Sequence, residues 1–179
     1  MKRRQLLAAG VGVGAAALGA GVALWRQSAP VAAAAALPGD AGALTALWAQ
    51  RFTRPEGGEV DMASLRGKPL LNFWATWCAP CVREMPEIDR FHRQFGPQGW
   101  QVLGLAIDGP TPVREFLGRV KVGFAIGLAG LDGTELVKTL GNAQGGLPFT
   151  VLIGADGTVR QRKLGETSFD ELTGWAKPG

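Results

Sequence analysis

The sequence is poor in the residues from which small domains build disulfide frameworks and metal sites. It contains two cysteines and one histidine among 179 residues. Because Cys78 and Cys81 are only three positions apart, a bond between them could not join distant parts of the chain. A zinc site needs about four ligands, and the two cysteines with His92, which we predict on the outer part of a helix, are too few. We therefore expect no disulfide scaffold, no metal and no cofactor.

The chain also lacks excess charge outside its N-terminus. The formal net charge of +4 is carried by Lys2, Arg3, Arg4 and Arg26, and the remaining 15 Lys and Arg are matched by 15 Asp and Glu from Leu37 onward. Electrostatic binding of nucleic acid requires a basic patch or stripe. A neutral body without a run of Lys or Arg argues against a nucleic-acid partner.

The first 36 residues have the layout of an export signal. A basic start is followed by 19 apolar residues, 6–24, of which 12 are Gly or Ala. The segment RRQLL at residues 3–7 resembles a twin-arginine motif, and the tract 32–36 offers small-residue cleavage sites. We predict that residues 1–36 are an export signal, or stay uncleaved as a membrane tether. Residues 37–179 would then form one domain outside the cytoplasm, in the periplasm.

The rest of the chain alternates between strand and helix patterns, with a polar hairpin at 54–65 before them. Leu44, Leu47, Trp48 and Phe52 recur at helical spacing and predict a packing face on a first helix. Such alternation predicts an α/β layer fold with the cysteine loop at the carboxyl end of a central strand. The predicted strands are 70–75, 100–107, 124–128, 149–153 and 158–163, and the predicted helices run from the cysteines to 95 and over 111–120, 134–140 and 168–177.

The pattern C-x-x-C at Cys78 and Cys81 follows a buried strand and opens a helix. At that position unpaired backbone N–H groups and the helix macrodipole stabilise a thiolate, which is the reactive form of cysteine. Three residues on one helix also lie within disulfide reach. A metal site and a purely structural disulfide are the alternatives, but the loop is too short to restrain the unfolded chain much. Reversible thiol–disulfide chemistry is the favoured interpretation.

Two motifs about 65 residues apart together resemble those of a known protein family. WCAPC at 77–81 follows LNFWAT and precedes EMP at 84–86, and GLPFTVLI occupies 146–153. Over roughly residues 60–176 the sequence resembles the TlpA/ResA group of thioredoxin-like thiol-disulfide oxidoreductases. The resemblance implies a three-layer α/β fold, in which a central mixed sheet is flanked by helices.

The resemblance also implies a role for each residue of the first motif. Cys78 would be the exposed nucleophile that attacks a substrate disulfide, and Cys81 the thiol that resolves the mixed disulfide. Pro80 would stiffen the first helical turn, where no N–H is needed. Trp77 would shield the pair, and a plain packing tryptophan is the weaker alternative.

In the second motif, Pro148 is similar to the cis-proline that faces the redox pair in thioredoxin-like folds. A cis Leu147–Pro148 bond would turn the Leu147 backbone toward the cysteines, where it could pair with an incoming peptide as a strand does. The alternative is an ordinary trans proline that begins a strand.

One position departs from the pattern of thioredoxins, which carry a buried aspartate six residues before the first cysteine. Here that residue is Asn72, which cannot titrate. Glu84, one helical turn after Cys81, is the replacement that the TlpA/ResA pattern suggests. We expect a partly buried Glu84 with a raised pKa that relays a proton for Cys81, against the alternative of a solvated helix carboxylate.

These expectations favour an exported reductase of cysteine pairs in other periplasmic proteins, including apocytochrome c or copper-site proteins, with electrons from a membrane thiol carrier. A thiol peroxidase is a weaker alternative, because related peroxidases want a Thr where this chain has Ala75. A binding module or chaperone that uses the Leu147–Pro148 groove without turnover is a further alternative.

Overall fold

The computed structural model describes residues 40–65 and 67–177. The predicted export signal or tether therefore lies outside the described residues. The helices are α1 (Asp40–Trp48), α2 (Ala79–Phe95), α3 (Pro110–Arg119), α4 (Gly133–Thr139) and α5 (Phe169–Ala176). The strands are β1 (Arg51–Thr53), β2 (Glu59–Asp61), β3 (Lys68–Trp74), β4 (Trp100–Ala106), β5 (Ala125–Leu128), β6 (Phe149–Ile153) and β7 (Val159–Leu164).

All seven strands belong to one mixed sheet, in the order β2-β1-β5-β4-β3-β6-β7. Strands β3, β4 and β5 are parallel neighbours, whereas β1, β2, β6 and β7 pair antiparallel. The carboxyl ends of the three parallel strands consequently meet at one edge of the sheet. The loop that carries the cysteines leaves β3 at that edge.

Side chains that alternate along the strands divide the core into two layers. On one face, Leu70 and Trp74 of β3 pack in a cluster with residues of α2, α3 and α5. On the other, Leu71 and Phe73 pack in a cluster with residues of α1 and α4. Helices cover both faces of the central sheet, and the predicted three-layer α/β fold is confirmed.

Two local predictions are wrong. Phe52 was expected to share a helical packing face with Leu47, but α1 ends at Trp48 and Phe52 is the buried middle residue of β1. Its side chain packs on the sheet because β1 pairs with both β2 and β5. His92 is half-buried instead of lying on the outer part of its helix, and its ring packs edge-on against Phe124 at 6.2 Å between centroids. Among the described helices, none has the length and apolar character needed to cross a membrane.

Gly127 lies in β5, next to the paired strand β1. A Cβ at this position would lie 2.8 Å from Phe52 Cβ and 3.1 Å from Leu105 Cδ2. We expect Gly127→Ala to lower the free energy of unfolding by about 1–3 kcal/mol, the usual cost of overpacking. Urea unfolding followed by circular dichroism measures it. Gly118→Ala in α3 is the control, because a Cβ there meets open space, and an equal effect of both substitutions would contradict the steric explanation.

Candidate active site

The two cysteines form a disulfide at the N-terminus of α2, with 5.2 Å between their Cα atoms. Cys78 is the N-cap residue of the helix, and its Sγ accepts a hydrogen bond from the Cys81 N–H at 3.3 Å. Pro80 lies in the first turn, as predicted, where its missing N–H costs no helical hydrogen bond. Once the disulfide is reduced, the same N–H and the helix dipole favour a thiolate at Cys78.

The loop before the cysteines is fixed by hydrogen bonds from its backbone N–H groups. The Cys78 N–H donates to the Ala75 carbonyl at 3.2 Å. The Thr76 N–H donates to Asp108 Oδ2 at 2.6 Å, and Asp108 follows the neighbouring strand β4. Asp108 therefore anchors the cysteine loop to the end of the adjacent strand, a role that its position in the sequence did not signal.

Cys78 is less exposed than predicted. Only 6% of its surface is accessible in the disulfide form, while Cys81 is fully buried. Both sulfur-bearing residues pack in the core cluster of the α2 face, which explains the low accessibility. The expectation of an exposed nucleophile is therefore wrong for this state.

Trp77, which was expected to shield the pair, has 70% of its surface exposed. Its side chain instead lines a cavity of about 510 Å³ together with Leu147. Leu147 also packs against the cluster that contains both cysteines. The structure thus brings Trp77 and Leu147 together beside the redox pair.

The Leu147–Pro148 bond is cis, which confirms the predicted isomer. Pro148 is buried and directly precedes β6. Because Phe149 pairs with Phe73 in the antiparallel β3–β6 ladder, the proline lies at the end of β3 from which the cysteine loop departs. The second motif therefore meets the first at the same edge of the sheet.

Glu84 is fully buried and belongs to a polar network between α2 and the sheet. Its Oε1 accepts from Asn72 Nδ2 at 2.7 Å, and its Oε2 accepts from the Thr167 N–H at 2.7 Å. Asn72 Nδ2 also donates to Thr150 Oγ1 at 3.1 Å. Within residues 40–65 and 67–177, Asn72 Oδ1 finds no hydrogen-bond partner. The alternative of a solvated Glu84 is excluded.

Burial raises the pKa of Glu84 from 4.5 to about 7, while the hydrogen bonds from Asn72 and Thr167 oppose the shift. Desolvation dominates because a carboxylate loses more by leaving water than these donors return. The raised pKa was expected. Its partner Thr167, and Thr150 on the far side of Asn72, were missed by sequence reasoning, because both lie far from Glu84 along the chain and no local pattern marks them.

Comparison with known proteins agrees with the motifs. The Redoxin family model matches residues 40–174. The chain is 32% identical over 124 residues to the thiol-disulfide oxidoreductase ResA of Bacillus anthracis, covering 68% of this chain and 69% of the relative. It is 34% identical over 123 residues to ResA of Geobacillus kaustophilus, covering 68% of each.

Solved structures show the same architecture. A thioredoxin-related protein from Neisseria meningitidis serogroup B superposes with a TM-score of 0.63 at 29% identity, over 70% of this chain and 94% of its own. StoA from Bacillus subtilis, at 22% identity, superposes with a TM-score of 0.59 over 72% and 96%. With a disulfide-bonded C-x-x-C pair at the start of α2, the chain belongs to the redoxin family and is a thioredoxin-like thiol-disulfide oxidoreductase of the ResA type.

Proposed function

We propose that this oxidoreductase is an exported reductase of disulfides in other periplasmic proteins. The observation that carries the disulfide-exchange part of the proposal is the asymmetry of the cysteine pair. Cys78 caps the helix and receives an N–H on its sulfur, whereas Cys81 is fully buried. This arrangement favours a thiolate at Cys78 and keeps Cys81 for the intramolecular step.

The reaction proceeds through one mixed disulfide. The Cys78 thiolate attacks a sulfur of the substrate disulfide, the substrate S–S bond breaks, and its other sulfur leaves as a thiolate. Deprotonated Cys81 then attacks Cys78 Sγ, which restores the Cys78–Cys81 bond and releases the second substrate thiolate. Two electrons pass from the protein dithiol to the substrate, and each released thiolate takes up a proton.

Glu84 is the group that we assign to the proton of Cys81. The two residues lie one turn apart on α2 and both are buried. A carboxyl group with a pKa of about 7 can accept a proton and release it again near neutral pH. Glu84 thus serves as the base for the resolving thiol.

Substrate binding falls to the residues that border the pair. The Leu147 backbone, held before Pro148, would pair with the substrate chain in the manner of an added strand. Trp77 lines the same cavity as Leu147 and offers an exposed aromatic surface. Pro80 stiffens the first turn of α2.

The export signal predicted at residues 1–36 places the domain in an oxidising compartment, where a reductase needs a supply of electrons. A membrane-bound dithiol carrier is the donor that we propose, and the N-terminal segment is the tether if it stays uncleaved. Exported proteins that must keep cysteines reduced are the clients, including apocytochrome c and copper-site proteins.

The test is the equilibrium reduction potential of the Cys78/Cys81 pair in glutathione and dithiothreitol buffers. We expect about −250 mV or lower, as for reducing thioredoxin-like proteins. Intrinsic tryptophan fluorescence or thiol alkylation reports the reduced fraction. A potential near about −120 mV, typical of strong oxidants, would overturn the reductase direction while leaving the cysteine assignment in place.

A further inference from the structure

Three large apolar side chains are exposed among the described residues, namely Trp77, Leu131 and Leu164. Leu131 is the most exposed of them, at 84%. Trp77 and Leu131 line the same cavity of about 510 Å³, whereas Leu164 lies on β7 outside that lining. Two of the three thus line one cavity beside the redox pair, where packing among residues 40–65 and 67–177 does not bury them.

The cavity lies at the edge of the sheet where the parallel strands end. Trp77 follows β3, Ile107 follows β4, Leu131 follows β5, and Leu147 comes just before β6. Ligands of α/β sheets bind at this edge, beyond the carboxyl ends of the strands. The cavity therefore borders the core cluster that contains the disulfide, because Leu147 lines the cavity and packs against that cluster.

The lining selects an uncharged occupant. In the described part of the chain, its only charged residue is Asp108, whose carboxylate accepts the Thr76 N–H. The other lining residues are aromatic, aliphatic, glycine or threonine. A side chain that enters leaves water for a mostly apolar lining, which costs a charged group its hydration and lets an apolar one cover Trp77 and Leu131.

The loop that presents Leu131 is held in place by the backbone. The N–H groups of Ala129 and Gly130 both donate to the Ala106 carbonyl, at 2.9 and 3.1 Å. The Leu131 carbonyl accepts the Thr134 N–H at 3.1 Å. Leu131 is therefore fixed at the rim of the cavity by β4 and by the start of α4, so the subsite exists before a substrate arrives.

We propose that Leu131, with Trp77 and Leu147, forms a subsite for a large apolar side chain next to the substrate's disulfide-bonded cysteine. The partner is a polypeptide in which an aromatic or branched aliphatic residue flanks that cysteine. While the substrate sulfur is bonded to Cys78, this neighbouring side chain occupies the cavity. The inference rests on the proposed disulfide exchange. It adds that substrates with a large apolar residue beside the cysteine are preferred.

The test compares two synthetic peptides, each closed by one disulfide and identical except that Phe or Ser flanks both cysteines. The reduced full-length protein is mixed with each peptide, and the second-order rate constant is measured. We expect the Phe peptide to react about tenfold faster than the Ser peptide, as for one side chain entering an apolar pocket. Leu131→Ser should bring the ratio close to one, while the rate with bis(2-hydroxyethyl) disulfide stays unchanged.

Leu164→Ser is the matched control, because it removes another exposed leucine that does not line the cavity. It should keep the preference for the Phe peptide. The subsite is disproved if the wild-type protein has no preference, if Leu131→Ser keeps it, or if Leu164→Ser loses it equally. Failure of the wild-type protein to react with bis(2-hydroxyethyl) disulfide would instead count against the proposed exchange itself.

Discussion

Replacing Cys78 by serine is expected to abolish disulfide exchange, lowering its rate by more than about 1000-fold, because a hydroxyl cannot replace the thiolate that starts the reaction. Replacing Cys81 should have a different consequence. Cys81→Ser keeps the Cys78 sulfur at the N-cap, together with the hydrogen bond that this sulfur accepts from the backbone N–H of residue 81. The first attack therefore proceeds, and the mixed disulfide accumulates because no thiol resolves it.

Mass spectrometry of acid-quenched mixtures with a model disulfide distinguishes the two variants. Cys81→Ser should carry a stoichiometric adduct on Cys78, and Cys78→Ser should carry almost none. The Cys81 thiol that remains in Cys78→Ser is the internal control. It belongs to the same site, but it is buried and is not the N-cap residue of α2. An adduct that forms on Cys81 as fast as on Cys78 would refute the asymmetry on which the proposed reaction rests.

The second large effect concerns the pH dependence of stability. Between its ordinary pKa of 4.5 and the folded value of about 7, Glu84 binds more protons in the native state than in the unfolded state. Its contribution to stability is therefore complete below about pH 4.5 and is lost as the pH rises through 7, a total of about 3 kcal/mol. Glu84→Gln cannot ionise and should lack this loss.

Urea unfolding of the oxidised wild-type protein and of oxidised Glu84→Gln, at pH 4 and at pH 8, measures the contribution of Glu84 to the free energy of unfolding. The difference between wild type and Glu84→Gln in the free energy of unfolding should change by about 3 kcal/mol between these pH values. Other carboxyl groups contribute to both proteins alike and cancel in this comparison. Parallel pH profiles would mean that Glu84 is ionised at no unusual cost.

The same variant separates a proton-relay role from a structural one. If Glu84 accepts the Cys81 proton, Glu84→Gln should slow the resolution of the mixed disulfide and remove its pH dependence near 7. The initial attack by Cys78 should keep its rate. Resolution at the wild-type rate across this pH range would rule out the relay.

Much of the fold could be read from the sequence because its signals are local. Alternating strand and helix patterns and the C-x-x-C spacing depend on neighbouring residues, and they placed the redox pair at the end of β3. Phe52 was misassigned because helical spacing of apolar residues can continue by coincidence into a short strand. Such a strand is defined by its partners, and here β5 lies more than 70 residues away.

The environment of the site was less predictable than its residues. Whether Cys78 is exposed depends on how closely α2 packs on the sheet. The donors to Glu84 come from β3 and from the segment before α5, which only the tertiary fold brings together. Leu131 carried no motif at all. Its high exposure and its place beside Trp77 are properties of a loop conformation.

The Asn72 oxygen, which has no hydrogen-bond partner among the described residues, bears on how the buried carboxyl group can change its charge. When Glu84 is ionised, the Asn72 amide donates to it and to Thr150. When Glu84 is protonated, a half-turn of the amide presents Oδ1 to the new O–H, and the Thr150 hydroxyl becomes the donor. Because one amide can either donate or accept at that place, Glu84 keeps a hydrogen bond to Asn72 in both charge states, while the other end of the amide faces a position that holds no partner among the described residues.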